Sequence, residues 1–63
     1  MYKLKEKRLA CGLTQAEVAE AAGITVRAYQ YYENGDKAPS VDVAIKIAKK
    51  LDSTVEDVFS ISY

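Results

Sequence analysis

The chain has 63 residues, with one cysteine, no histidine and nine basic against nine acidic side chains. A chain of this length forms at most one domain, residues 1–63, and so small a domain has a thin core. A lone Cys11 excludes an internal disulfide bond and a zinc site, which needs about four nitrogen or sulfur ligands. The zero net charge argues only weakly against a nucleic-acid partner, because the distribution of charge matters more than its sum.

The sequence also argues against a membrane protein and an enzyme. Its start, MYKLKEKR, lacks the apolar segment of a signal peptide, and no run approaches the roughly 18 apolar residues of a membrane span. We therefore expect a cytoplasmic protein with no membrane partner. Histidine, the commonest general base, is absent, and no glycine-rich phosphate loop or metal-ligand cluster occurs. We predict no enzymatic activity, no cofactor and no metal site.

Apolar residues at helical spacing, separated by turn residues, predict an all-α fold, a compact five-helix bundle. The segment near the start has a single acidic residue, Glu6, among four basic ones, Lys3, Lys5, Lys7 and Arg8. This basic cluster fits phosphate contact and a solvated helix face equally well. The expected helices cover about Lys3–Cys11, Thr14–Ala22 with Thr14 as its cap, Val26–Glu33 after the cap Thr25, Val41–Leu51 after Ser40, and Val55–Phe59 after Thr54.

The second and third helices are joined by a very short turn. The letters TQAE predict a capping box between Thr14 and Glu17, and Gly23 ends the second helix. Since Ile24 alone separates Gly23 from the next cap, we expect the two helices to cross sharply, with the small Ala19 allowing close approach.

Three tyrosines in the third helix divide between its faces. Successive helical residues are about 100° apart, so Tyr29 and Tyr32 are predicted to be mostly buried and Tyr31 mostly exposed. The outward face then carries Arg27, Gln30, Tyr31 and Asn34. Arginine, glutamine and asparagine bond base edges in DNA, so this face is either a binding surface or an ordinary polar helix face.

The segment LTQAEVAEAAGITVRAYQYYENG resembles the helix-turn-helix of the Cro/repressor (Xre-like) family of DNA-binding regulators, a lambda-repressor-like fold. The resemblance extends from Leu4 to Phe59. It rests on features at family spacing: LTQ at the second helix, Ala19, Gly23, Ile24, the inward Tyr29 and Tyr32, ENG, PS before the fourth helix, and the closing VEDVF.

The resemblance implies roles for individual residues, with the third helix in the major groove and the start of the second against the DNA backbone. The base-reading residues would be Val26, Arg27, Tyr31 and, on the flank of the groove, Gln30. The phosphate contacts would be Gln15, Asn34 and Lys37.

Arg8 and Glu33 match a structural pair that, in some relatives, ties the first helix to the end of the third. The other interpretation of Arg8 is an exposed charge that contributes almost nothing to stability.

The chain departs from the family pattern at several positions. Asp36 stands where relatives often have a basic residue, and it would repel a phosphate. Val26 cannot hydrogen-bond a base, Tyr29 and Tyr32 replace aliphatic residues, and Asp52 stands where a glycine often ends the fourth helix. Together with the zero net charge, these departures imply modest affinity for each subunit and a dependence on dimerisation.

The resulting prediction is a sequence-specific regulator of transcription, a repressor, that binds double-stranded DNA as a homodimer on a palindromic site. The dimer contact is expected at the C-terminal helix and tail, where Val58, Phe59, Ile61 and Tyr63 are apolar; alternatively, these residues close the monomer's own core. A second hypothesis is a protein-interaction or antitoxin-like module of the same fold, with weak DNA reading or none.

Overall fold

The computed structural model describes residues 2–59, which form five α-helices and no strand. The all-α prediction is therefore confirmed. Five of the ten helix ends differ from the sequence-based expectation by one residue, as is usual where helices fray, and the other five agree with it. The observed helices are α1 Leu4–Ala10, α2 Gln15–Ala22, α3 Val26–Asn34, α4 Val41–Lys50 and α5 Val55–Phe59.

Hydroxyl side chains begin the helices after the first. Thr14 accepts the N–H of Glu17 at 3.1 Å while the Glu17 carboxylate accepts the N–H of Thr14 at 2.9 Å, which completes the predicted capping box. Thr25 and Ser40 cap α3 and α4 in the same way, through single hydroxyl contacts. Each such cap contributes about 1 kcal/mol, because it satisfies a backbone donor that the helix leaves free.

The turn between α2 and α3 is as short as the sequence predicts. Gly23 adopts a left-handed conformation with φ 70°, which an L-residue with a side chain adopts at a cost. The N–H of Ile24 then bonds the Ala19 carbonyl at 3.0 Å, and Thr25 begins the next helix. This turn makes α2 pack directly against α3, and α2 also packs against α4.

The core takes one fully buried large side chain from each helix. These side chains are Leu4, Val18, Tyr29, Ile47 and Val58. Each of the four aliphatic side chains contributes roughly 1.5–3 kcal/mol of apolar burial. Because every helix supplies one of them, the core, and with it the orientation of α3, depends on all five helices.

The C-terminal helix closes this core. The expectation of exposed apolar residues on α5 was wrong: Val58 is fully buried and Phe59 nearly so. The Lys3 N–H donates to the Val58 carbonyl at 2.7 Å, and the rings of Tyr2 and Phe59 meet edge to face at 5.0 Å. These contacts bind the start of the chain to α5. Ile61 and Tyr63, the other residues expected at a dimer contact, lie outside the described residues.

The three tyrosines of α3 divide less sharply than the helical geometry predicts. Tyr29 is fully buried, as expected, and Tyr32 is half-buried and packs against the core. Tyr31 was expected to be mostly exposed, but it too is half-buried. Its cover comes from charged side chains and not from the apolar core.

Candidate nucleic-acid interface

The outward face of α3 carries polar side chains that the core does not use. Arg27, Gln30 and Asn34 are exposed, and Val26 is exposed at the first position of the helix. Val26, Gln30 and Asn34 are four residues apart, and Arg27 lies three residues before Gln30, so the four side chains form one stripe along α3. The structure therefore brings together four of the residues for which the resemblance implied DNA contact.

Tyr31 is held in place by two cations. The Arg27 Nε donates to the Tyr31 hydroxyl at 3.3 Å, and its guanidinium carbon lies 5.9 Å from the ring centre. The Lys37 ammonium lies 4.6 Å from the same ring centre, within the range of a cation–π contact. The loop after α3 brings Lys37 there, since the Asp36 N–H turns back to the Tyr31 carbonyl at 2.9 Å. These contacts account for the unexpected cover over Tyr31.

A shallow hollow of about 290 Å³ opens between these side chains. It is lined by Arg27, Gln30, Tyr31, Asn34 and Asp36. Four of its five lining residues are hydrogen-bond donors, and arginine and the side-chain amides are the groups that bond base edges. The Asp36 carboxylate in this lining would repel a phosphate, so the hollow is less suited to the DNA backbone than to base edges.

Behind this face, Arg8 and Glu33 form a buried ion pair. The Arg8 Nε and Nη2 donate to the two Glu33 carboxylate oxygens at 3.0 and 3.1 Å, and the two side chains are only 9% and 4% exposed. The Arg8 Nη1 also donates to the Leu13 carbonyl at 2.9 Å. The pair thus joins α1, the turn before α2 and the end of α3. It also removes Arg8 from the N-terminal basic cluster.

The ion pair affects the pKa values of Glu33, one of its members, and of the neighbouring Tyr29. Burial by itself would raise the pKa of Glu33, but hydrogen bonds from Arg8 and other neighbours keep that pKa below its usual value. Burial and the Glu33 carboxylate raise the pKa of the Tyr29 phenol. The Tyr29 hydroxyl is buried beside the pair, and within residues 2–59 it has no hydrogen-bond partner of good geometry. At neutral pH, Glu33 is therefore a carboxylate and Tyr29 a neutral phenol.

A hydrogen-bonded chain extends from the pair to the outward face. The Gln15 Nε2 donates to Glu33 Oε1 over a long 3.4 Å, and the Gln30 Nε2 donates to Gln15 Oε1 at 3.1 Å. Gln15 begins α2 and Gln30 lies in the middle of α3, so these hydrogen bonds form a bridge between the two helices. Sequence reasoning missed this bridge; the signal available was a pair of glutamines on helices that cross closely.

The start of α2, where Gln15 bonds Gln30 of the outward face, presents free backbone donors. The N–H groups of Gln15 and Ala16 precede the first intrahelical hydrogen bond, and Thr14 caps that of Glu17. Free N–H groups and the positive end of the helix dipole favour a negatively charged group such as a phosphate. The Lys37 ammonium lies over the ring of Tyr31, which lines the hollow.

None of the helices within residues 2–59 is both long and apolar enough to cross a membrane.

Comparison with known proteins agrees with this architecture. A helix-turn-helix family model matches residues 4–58. The chain is 39% identical to YgzD of Bacillus subtilis, described as an uncharacterised HTH-type transcriptional regulator, over 90% of this chain and 86% of that protein.

Two further relatives are longer than this chain. YqaF of Bacillus subtilis, another HTH-type transcriptional regulator, is 52% identical over 76% of this chain and 63% of its own length. The transcriptional repressor RstR of the cryptic phage CTXphi in Vibrio cholerae is 32% identical over 89% of this chain and half of its own length. With the capped α2, the short Gly23 turn and the polar face of α3, these matches show that the chain belongs to the Xre-like helix-turn-helix family of DNA-binding transcriptional regulators.

Proposed function

We propose that this protein is a sequence-specific repressor of transcription that binds a palindromic DNA site as a homodimer, with residues 1–63 acting as one DNA-binding domain. The observation that carries the proposal is the outward face of α3, where exposed Arg27, Gln30 and Asn34 surround the hollow beside Tyr31. A helix with such a face fits the major groove, which admits an α-helix and displays a distinct donor and acceptor pattern for each base pair.

The proposed base contacts come from the exposed stripe. The Arg27 guanidinium offers a fork of donors that suits the two acceptors of guanine. Tyr31 and Val26 offer apolar surface for a thymine methyl group, and Gln30 offers an amide for adenine.

One proposed phosphate contact, Asn34, belongs to this stripe, and the other two, Gln15 and Lys37, lie outside it. Gln15 stands at the free N–H groups of α2, Asn34 ends α3, and Lys37 follows in the loop. Phosphate contacts hold the protein in register and carry no sequence information themselves.

The assignment as a repressor is supported by the similarity to RstR, whose description is that of a transcriptional repressor. The matched region in that protein is half of its length, so the rest of RstR supplies nothing to this inference.

The dimer contact needs a surface other than the buried Val58 and Phe59. We place it at the start of α4, where Val41 is 77% exposed and Ile45, one turn later, is 41% exposed. An apolar groove of about 330 Å³ adjoins Val41 and is lined also by Pro39 and Val55. In a two-fold dimer this surface would meet its own copy, and two α3 helices about 34 Å apart would match one turn of DNA.

A second candidate function is a protein-interaction or antitoxin-like module that reads DNA weakly or not at all. The observations that favour it are the zero net charge of the chain and the Asp36 carboxylate in the lining of the hollow. Both lower the attraction to a polyanion.

Selection of binding sites from random double-stranded DNA separates the two candidates. The first predicts an enriched palindrome with half-sites one helical turn apart, and the second predicts no enriched sequence. The Arg27→Ala variant should then lose about 1–3 kcal/mol on the selected site and little on random DNA, so specificity relaxes. An equal loss on both kinds of DNA would show that Arg27 contacts the backbone and leave base reading to Tyr31 and Val26.

A further inference from the structure

The bridge from Glu33 to Gln30 has a fixed polarity. A carboxylate can only accept hydrogen bonds, so the Gln15 amide must turn its nitrogen toward Glu33 and its oxygen away. The Gln15 oxygen in turn can only accept, so Gln30 must turn its nitrogen toward Gln15. The charge on one buried residue thereby sets the orientation of two amides that are chemically free to rotate.

Both ends of this bridge are well placed for such a role. Glu33 is held rigidly, because both of its oxygens accept from Arg8 and its side chain is only 4% exposed. Gln30 is exposed and lines the hollow on the outward face of α3. The buried Glu33 carboxylate can therefore set the orientation of the Gln30 amide at the surface.

The consequence for Gln30 is a defined outward edge. One of its two amide hydrogens is taken by Gln15, which leaves its carbonyl oxygen and its second hydrogen. An acceptor beside a donor matches adenine, which offers the N6 amino group and N7 in the major groove. Guanine offers two acceptors there, O6 and N7, so the Gln30 oxygen would face an acceptor.

We infer that Glu33 is a positioning residue for DNA recognition, which acts through Gln15 to orient the Gln30 amide and so selects adenine over guanine at the base that Gln30 meets. This inference rests on the proposed function, since it specifies the base chemistry of the same surface. Gln15 keeps a second amide hydrogen for a phosphate, so both of its roles are compatible.

The test measures the ratio of affinities for two versions of the selected site, with adenine or guanine at one base pair. That base pair is identified as the one where Gln30→Met abolishes discrimination. Gln15→Met breaks the bridge and leaves the ion pair intact, so the Gln30 amide can reverse. The ratio of the affinity for the adenine site to that for the guanine site should then fall about two- to tenfold, which corresponds to the free energy of one hydrogen bond. In a Gln30→Met background the same change should leave the ratio unaltered.

The contribution of Glu33 needs a variant that folds. Glu33→Gln alone leaves Arg8 buried without a counter-charge, so it is paired with Arg8→Met, which removes that charge. An amide at position 33 can donate to the Gln15 oxygen and permits the reversed orientation. The paired variant should therefore lower the ratio by a factor similar to that of Gln15→Met.

The matched control is Asn34→Ala, a proposed phosphate contact outside the bridge. It should lower the affinity for both versions of the site and leave the ratio unchanged. If Gln15→Met behaves like this control, Gln15 is only a phosphate contact and the inference is wrong. It is also wrong if Gln15→Met lowers the ratio but the Arg8 and Glu33 paired variant does not.

A measurement without DNA distinguishes this failure from failure of the proposed function. In the free protein, Gln15→Met should shift the Gln30 side-chain amide signals in NMR spectra toward those of a solvated glutamine. Unshifted signals would show that the bridge does not form, whatever the protein binds. A wild-type protein that forms the bridge but enriches no DNA sequence would overturn the proposed function and the adenine preference together.

Discussion

Removal of one member of the Arg8–Glu33 pair should destabilise the protein far more than removal of both. Arg8→Met leaves a carboxylate in a site where the native side chain is 4% exposed, and Glu33→Gln leaves a guanidinium whose native side chain is 9% exposed. An uncompensated buried charge costs about 3–5 kcal/mol. Arg8→Met also strands the Leu13 carbonyl, which accepts from Arg8 at 2.9 Å, so its cost should lie at the upper end.

The scale of this loss follows from the size of the domain. At about 0.05–0.15 kcal/mol per residue, a chain of 63 residues has a free energy of unfolding of roughly 3–9 kcal/mol. Each single variant should lose a large share of that, and its melting temperature should fall by more than about 10 °C. The paired Arg8→Met and Glu33→Gln variant leaves no buried charge, so it should be more stable than either single variant.

Urea denaturation followed by circular dichroism at 222 nm, at about 25 °C, measures the free energies for the complete double-mutant cycle. A single-variant loss of less than about 1 kcal/mol would refute the reasoning, because that is the value of a solvent-exposed pair. Equal losses in the single and paired variants would also refute it, since the cost would then come from lost packing and not from a stranded charge.

Three further predictions concern pH, backbone strain and assembly. Because the folded-state pKa of Glu33 lies below its usual value of 4.5, its contribution to stability should be complete above about pH 4.5 and be lost as the pH falls through the folded pKa. Acid unfolding curves should show this loss in the wild type and not in the Arg8→Met and Glu33→Gln variant. Asp52 follows α4 with φ 53°, so Asp52→Gly should raise the free energy of unfolding by up to about 1 kcal/mol; unchanged urea midpoints would show that Asp52 bears no strain. Val41→Asp should shift the proposed dimer toward monomer in sedimentation equilibrium, and an unaltered dimer would place the contact elsewhere.

The helices and their turns were largely predictable because they depend on local interactions. A capping hydroxyl bonds an N–H only three residues away, as Thr14 does with Glu17, and Gly23 tolerates a positive φ through its own lack of a side chain. The same locality explains why Tyr29 could be assigned to the core, since the helical period alone directs it inward.

The sequence-based reasoning was less accurate where a side chain's surroundings come from distant residues. Tyr31 has the direction expected of it, but the loop after α3 returns Lys37 over its ring. Val58 and Phe59 were expected to be exposed because a short terminal helix has little left to cover, but the alternative, that they close the monomer's own core, is the one the structure shows for these two residues. They are buried because the first residues of the chain fold against α5, through Lys3 and Tyr2.

The sequence by itself therefore determined the all-α class, the helix boundaries to within a residue or so, and the polar stripe on α3. Its family motifs predicted which residues would contact DNA, and that assignment stays a prediction. The tertiary structure alone decided that Arg8 and Glu33 are desolvated together and that Gln15 links Glu33 to Gln30. The physical reason is that hydrogen bonds and ion pairs between helices act over about 3 Å, so they depend on how helices cross. Residues 25 positions apart, as Arg8 and Glu33 are, meet only when the shared core has set that crossing.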